Sequence, residues 1–205
     1  LFGSLPSSMH VYKTTDSIDG RPNIAYYAEA LLKDKQLHFT TDTTRDRRLI
    51  PQQFYEKNNH PLLVVNGTFF SFKNNKNLNL VIKDGKIVAH GVHLFAGKGK
   101  DTLLYHYVLG SAIGISQKRA ADIAWLYSNA EYEKIPFPVA FEMAPIYFKD
   151  STNNNSIYRF APCLRHSPTF KKRRGVIEKW KMQTAIGGGP VLIQDGEIKI
   201  TNNEE

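Results

Sequence analysis

Cysteine and long apolar runs are nearly absent from this sequence, and each scarcity excludes a class of protein. The single cysteine, Cys163, rules out a disulfide within the chain and cannot by itself build a thiolate metal site. His166 completes only one Cys-x-x-His pair, a poor zinc signature, so we interpret Cys163 as a small, half-buried thiol. No apolar run approaches the ~20 residues that a membrane-spanning helix needs. The sequence therefore predicts no metal site and no membrane span.

Acidic residues are outnumbered by basic ones, which favours anionic partners. The chain has 19 acidic and 27 basic residues and a net charge of +8. Nucleic acid, anionic polysaccharide and phosphodiester substrates all suit such a surface. Much of the excess lies in the K-K-R-R run at residues 171–174, which we interpret as a solvated loop. Nucleic-acid modules more often interleave aromatics with basic residues, and only Phe170 and Trp180 flank this run, so no nucleic-acid partner is predicted.

The length of 205 residues and the 41% hydrophobic content suit one domain with a substantial core. We predict an α/β (α+β) fold, a mixed, strand-rich twisted sheet with few short helices. A single domain is expected over residues 1–205, with residues 128–183 as an elaboration of the sheet.

Local patterns place the predicted elements. Pro51 suits the first turn of a short helix over residues 50–58. Residues 79–90 are typical of a hairpin whose turn is Asp84-Gly85. Residues 117–134 fit a helix or a hairpin, and we favour the hairpin. The other predicted strands span residues 9–13, 24–31, 36–41, 62–65, 103–107 and 112–116.

Residues 62–65 are uniformly aliphatic, and we interpret them as a central strand buried on both faces. Asn66 and Gly67 after them predict a sharp turn, while Phe69 and Phe70 are expected in the core.

A glycine-rich segment is predicted to meet this central strand. Gly187, Gly188 and Gly189 lie between two apolar runs and precede a turn at residues 194–197. Consecutive glycines can form a nest of N–H groups around an anion or a tight structural corner in a twisted sheet. The residues alone leave both interpretations open.

Three segments together resemble the phosphodiester glycosidase family. Residues 66–70, N-G-T-F-F, resemble its N-G-[GT]-[FY]-F segment. Residues 79–86 resemble its following strand and D-G-K turn, and residues 185–196 resemble its A-I-G-G-G-P-x-L-x-x-D-G segment. The resemblance covers roughly residues 25–200, with residues 117–183 matched only loosely.

The resemblance implies a hydrolase that cleaves the bond between a sugar's anomeric carbon and a phosphodiester, on an anionic glycan. It implies no cofactor and leaves a divalent cation open. The start at Leu1, without methionine or a leader, indicates a removed signal peptide, and we expect an extracytoplasmic location. Family members continue with H-P-R-T-A-like and N-x-D-G-G-G-S-like segments that do not occur before Glu205. We therefore expect the domain to be incomplete at its C-terminus, with the remaining part a candidate partner as a second chain.

Candidate site residues follow from these segments. The carboxylate of Glu142 lies in an apolar segment, where burial would raise its pKa toward that of a general acid. The solvated face of an edge strand is the simpler explanation of this residue, and no family motif falls on it. The Asn66 amide could bind a sugar hydroxyl or a phosphate oxygen, or could be a turn residue only. The predicted substrate-binding residues are Asn66, Gly67, Thr68, Asn79, Gly187, Gly188 and Gly189.

Two other functions remain open from the sequence. One is a non-catalytic module on the same scaffold that binds carbohydrate or a surface polymer. The other is nucleic-acid binding through residues 165–181, which predicts a steep salt dependence.

Overall fold

The computed structural model describes residues 4–44, 47–96, 105–107, 110–128, 138–141 and 177–198. These residues form many short strands and one short helix, which confirms the predicted strand-rich fold class. Within these ranges, no helix has the length and apolar character needed to cross a membrane.

The helix α1 spans Pro51–Lys57. The described strands, in chain order, are β1 (Met9–Thr14), β2 (Ala25–Ala30), β3 (Val81–Lys83), β4 (Lys86–Ala89), β5 (Leu94–Ala96), β6 (Tyr105–Tyr107), β7 (Gly110–Ile115), β8 (Ala121–Tyr127), β9 (Val139–Phe141), β10 (Ile177–Lys179), β11 (Thr184–Gly188), β12 (Ile193–Gln194) and β13 (Glu197–Ile198).

Seven of these strands form the main sheet, in the order β10-β9-β8-β7-β11-β3-β4. Its pairs are antiparallel, and β11 lies between β7 and β3, so that Ala185 pairs with Gly114 on one side and Ile82 on the other. Trp180 covers β7 and donates a hydrogen bond of 2.6 Å from Nε1 to Asp122 Oδ2. The buried core cluster consists of Leu80, Ile82, Ala112, Ala124, Leu126, Trp180 and Ala185.

Most predictions based on local signals are confirmed. The strands predicted at residues 9–13 and 24–31 form as β1 and β2, α1 begins at Pro51, and the residue 79–90 hairpin turns at Asp84 and Gly85. The choice of a hairpin over a helix after residue 116 is also confirmed, because residues 121–126 of β8 pair with the whole of β7. The turn predicted at residues 194–197 joins β12 to β13.

The prediction of a buried central strand at residues 62–65 is wrong. These residues form no strand, and Leu62 and Val65 are 55% and 72% exposed. Both edges of β11 are already paired, to β7 and to β3, so this segment finds no ladder beside it. It instead leads to Gly67, which lies against the side chain of Ile186 in β11.

The prediction of a strand at residues 36–41 is also wrong. These residues contain no strand, and the partner of β2 is β1. Arg119, in the turn between β7 and β8, donates hydrogen bonds to the main-chain oxygens of Leu32, Asp34 and Leu37. These bonds fix the segment as an irregular loop, with the Leu37 side chain buried.

Several predictions fall on residues outside the described ranges. They include Glu142, Cys163 and the basic run at residues 171–174. From the predicted elaboration at residues 128–183, the short strands β9 and β10 are described at one edge of the main sheet.

Candidate functional site

The three segments that carry the family resemblance meet at the side chain of Asn79. Its Oδ1 accepts a hydrogen bond of 3.1 Å from the backbone N–H of Phe69. Its Nδ2 donates a hydrogen bond of 3.1 Å to the carbonyl oxygen of Gly188. One amide thus joins residues 66–70, the start of the β3 hairpin and the end of β11, as an amide with both a donor and an acceptor can. We call this three-way contact the Asn79 bridge.

Two glycines allow these segments to approach closely. A Cβ on Gly67 would lie 2.0 Å from Cδ1 of Ile186, so the Ile186 side chain would have to turn away to admit it. A Cβ on Gly187 would lie 2.6 Å from Cβ of Asn79 and 2.9 Å from the backbone nitrogen of Leu80. All three distances are shorter than side-chain atoms tolerate. Packing against the backbone therefore requires glycine at position 187, whereas Gly67 faces a side chain that can rotate.

The glycine run does not form an anion-binding nest. A nest needs a residue in the left-handed region, and none of Gly187, Gly188 and Gly189 has a positive φ. The N–H of Gly187 donates to the carbonyl oxygen of Leu80 at 2.7 Å, and Oγ of Ser111 donates to the carbonyl oxygen of Gly189. Gly187 therefore fits the other interpretation of the glycine run, a tight structural corner in a twisted sheet. Gly188 differs, because a Cβ there would meet nothing within 4 Å.

Asn66 and Thr68 lie at the edge of this arrangement. Asn66 is exposed, has no positive φ, and makes no side-chain hydrogen bond to another described residue. A role as a left-handed turn residue is therefore ruled out, and its amide is available to a ligand. The hydroxyl of Thr68 donates to the carbonyl oxygen of Phe69 at 2.6 Å, which leaves only its acceptor capacity.

The expectation that Phe69 and Phe70 are core residues is wrong. Phe69 is 60% exposed, and Phe70 also has a substantial exposed surface. Gly67 lies against Ile186 of β11, whereas the two aromatic side chains that follow it remain open to solvent. Exposed aromatic surface beside a candidate site commonly marks a binding region.

Asp42 forms ion pairs with two lysines, and its environment identifies it as structural. Its carboxylate lies 2.8 Å from Nζ of Lys57 and 3.2 Å from Nζ of Lys83, and Asn58 Nδ2 donates to it at 2.9 Å. Burial alone would raise the pKa of Asp42. The hydrogen bonds from Lys57, Asn58 and Lys83 outweigh that effect and lower this pKa to about 2. A carboxyl that stays ionised at neutral pH cannot serve as a general acid, so Asp42 instead fastens α1 to β3.

Replacing Asp42 by asparagine should remove part of the acid sensitivity of folding. Because the folded-state pKa is lowered, the stabilisation is complete above the ordinary pKa of 3.8 and is lost as pH falls toward about 2. We expect Asp42→Asn to lower the free energy of unfolding by about 1 kcal/mol near pH 7. Urea unfolding across this pH window measures both effects. Asp19→Asn, at an exposed turn position, is the control, and an equal change in both variants would contradict the prediction.

Two histidines lie on the segment that follows β4. Nδ1 of His90 is buried and has no hydrogen-bond partner within the described residues, and burial lowers the pKa of His90. Nε2 of His93 accepts a hydrogen bond of 3.0 Å from the backbone N–H of Ser128, whose Oγ accepts one of 3.1 Å from the N–H of Gly91. A neutral imidazole at both positions fits these contacts, which attach this segment to the end of β8.

Two residues, one at the Asn79 bridge and one outside it, were not among the sequence predictions. Ser111 orients the carbonyl of Gly189, and Arg48 lies over the rings of Phe70 and Phe72. No local sequence signal marks either residue, because both act through contacts between distant segments. Within the described ranges, no group of three His, Cys, Asp or Glu side chains is placed to hold a metal ion.

The chain was compared with protein-family models, curated proteins and solved structures. None of these comparisons gave a match. The phosphodiester glycosidase resemblance therefore rests on the three segments quoted above and stays a prediction.

Proposed function

We propose that the protein is a hydrolase that cleaves the glycosidic bond between a sugar and a phosphodiester on an anionic glycan outside the cytoplasm. The observation that carries the proposal is the Asn79 bridge, since it brings together the three segments that resemble the family. Segments far apart in sequence that are joined by one side chain beside an open surface are suited to forming a ligand site.

The described residues suit binding and orientation. The free amide of Asn66 can donate to a phosphate or sugar oxygen, and the open surface at Gly188 lets a ligand approach the backbone. In the reaction, water adds a hydroxyl group to the anomeric carbon and a proton to the departing phosphate monoester. That leaving group is a weak base, so positioning and charge stabilisation matter more than strong acid catalysis. Glu142 remains the predicted acid.

Asn66→Ala tests the site directly. We expect kcat/KM for the methyl phosphodiester of N-acetylglucosamine to fall about tenfold, the value of one polar contact to a charged group. The melting temperature should not change, because the Asn66 side chain is exposed and bonds to no described residue. Release of the free sugar measures turnover.

Asn23→Ala, in the loop before β2, is the matched control and should retain the parent rate. A parent rate in Asn66→Ala would remove Asn66 from the site. A folded protein that leaves every sugar phosphodiester intact would refute the hydrolase itself.

A non-catalytic carbohydrate-binding module on the same scaffold is the second candidate. It is favoured by the lack of a described carboxylate at the Asn79 bridge, where the nearby polar groups are amides, hydroxyls and backbone atoms. Glycan binding without release of sugar would support this function over the hydrolase.

A further inference from the structure

Arg48 is held against two exposed aromatic rings beside the Asn79 bridge. Its guanidinium carbon lies 5.2 Å from the ring centroid of Phe72 and 5.7 Å from that of Phe70. The two rings contact each other, with centroids 4.9 Å apart and planes tilted by 48°. A guanidinium on aromatic faces is attracted by their quadrupoles and loses conformational freedom before any ligand binds.

The charge of Arg48 is not neutralised within the described part of the chain. Its side chain is exposed and forms no ion pair with a described residue. Stacking on a ring uses the face of the guanidinium and leaves its N–H donors at the edge. Arg48 can therefore bind a phosphate through two hydrogen bonds, the geometry that a guanidinium prefers.

The surroundings of Arg48 favour an anion that carries a ring. Phe72 is 78% exposed, more than any other large apolar side chain among the described residues. The loop at residues 71–77 has exposed Lys73 and Lys76 and no acidic residue. Positive charge around an open aromatic ring complements a chain in which sugars, whose C–H faces are apolar, alternate with phosphates.

This surface has a fixed place relative to the candidate site. Phe70 directly follows Phe69, whose N–H is bound by Asn79, and a bridge pairs Phe70 with Asn77. The N–H of Ser71 donates to the carbonyl oxygen of Lys76 at 2.9 Å and closes the loop. The surface thus adjoins the Asn79 bridge without being part of it.

We propose that Arg48, Phe70 and Phe72, the Arg48 platform, bind a second repeat of an anionic glycan, so that the substrate is a sugar-phosphate polymer and not a single sugar phosphodiester. This inference rests on the proposed function, because it extends the ligand of the same site. Arg48 acts as a specificity-determining residue that binds a phosphate distant from the bond that is cleaved.

The test compares a polymeric ligand with a monomeric one. Calorimetric titration with a synthetic poly(N-acetylglucosaminyl phosphate) should show about tenfold weaker binding for Arg48→Gln, the loss expected for one charge-assisted contact. Phe72→Leu, which keeps apolar bulk but removes the ring, should weaken the same binding severalfold. Turnover of the methyl phosphodiester should be unchanged in both variants. Arg47→Gln removes the same charge one position away, without a described aromatic contact, and should bind the polymer nearly as the parent does.

The outcomes separate the two proposals. If Arg48→Gln binds the polymer as tightly as the parent, or no more weakly than Arg47→Gln, the platform is refuted even when the methyl phosphodiester is hydrolysed. If the parent does not bind the polymer, the platform is likewise refuted. Binding that depends on Arg48 and Phe72 without turnover of either ligand would refute the hydrolase and retain the platform.

Discussion

Gly187→Ala should lower the free energy of unfolding by about 3 kcal/mol, the upper range for overpacking a well-ordered strand. The new Cβ would lie 2.6 Å from Cβ of Asn79, 2.9 Å from the nitrogen of Leu80 and 3.1 Å from its oxygen. Two of these atoms belong to the backbone and cannot rotate away. Relief requires β11 to move from Leu80, which breaks the 2.7 Å hydrogen bond from Gly187 to that residue. Urea denaturation measures the loss as a lower transition midpoint.

Gly188→Ala is a matched control one residue away. Its Cβ would meet nothing within 4 Å, so the free energy of unfolding should stay within about 0.5 kcal/mol of the parent value. The same variant has a separate functional consequence. If a ligand lies against the Gly188 backbone, the added methyl group should raise KM while leaving stability unchanged. Equal destabilisation by Gly187→Ala and Gly188→Ala would contradict the packing assignment, and an unchanged KM would remove Gly188 from the ligand surface.

This pair of variants separates a glycine that packing requires from a glycine that a ligand could contact. Gly67 and Gly187 have side-chain or backbone atoms in the space that a Cβ would occupy, whereas Gly188 does not. A glycine without a steric or conformational requirement in the fold is the better candidate for contact with a ligand. The family-like A-I-G-G-G-P segment therefore combines a packing requirement with an open surface.

The elements that could be predicted from the sequence are those with local causes. Asp84-Gly85 supplies two residues with positive φ for the turn between β3 and β4, and Pro51 suits the first turn of α1. Such signals act within a few residues and do not depend on the rest of the chain. The hairpin of β7 and β8 could likewise be distinguished from a helix by alternation.

The failed predictions concern segments whose structure is decided at long range. The aliphatic run at residues 62–65 has strand-like composition, but β7 and β3 occupy both edges of β11. Residues 36–41 alternate as a strand would, but Arg119 binds the adjoining carbonyl oxygens. Strand propensity describes fit to a pleated surface, and a segment without a free edge has no such surface.

The segments that form the site could be predicted from the sequence, but the contacts that join them could not. The sequence indicated that residues 62–70 and the glycine segment meet, and Gly67 does lie against Ile186. It could not indicate that Asn79 makes the connection, because that depends on the register of β3 beside β11. The contacts of Arg48 with Phe70 and Phe72 likewise join segments that are separate in sequence.

Arg119→Ala should be the most destabilising change at a position outside the core, lowering the free energy of unfolding by about 3 kcal/mol. The guanidinium donates to the carbonyl oxygens of Asp34 and Leu37 at 2.7 and 2.9 Å and also to that of Leu32. It lies over the ring of Phe39, with 5.5 Å between the guanidinium carbon and the ring centroid. Alanine leaves all three oxygens without this donor and frees the loop from the β7–β8 turn. Urea unfolding and limited proteolysis at residues 31–41 measure the two consequences.

Three further variants test whether the lost hydrogen bonds of Arg119 cause the destabilisation. Lys118→Ala, at the exposed neighbouring position, should leave stability within about 0.5 kcal/mol of the parent value. Arg119→Lys keeps the charge but loses the planar fork, so it should recover only part of the loss. Arg119 has a φ of 62°, so Arg119→Gly would relieve backbone strain and should be about 1 kcal/mol more stable than Arg119→Ala. Arginine and alanine carry the same strain at this φ, so the loss in Arg119→Ala reports the contacts of the guanidinium and not the strain. A loop as protease-resistant in Arg119→Ala as in the parent would show that Arg119 does not hold residues 32–37.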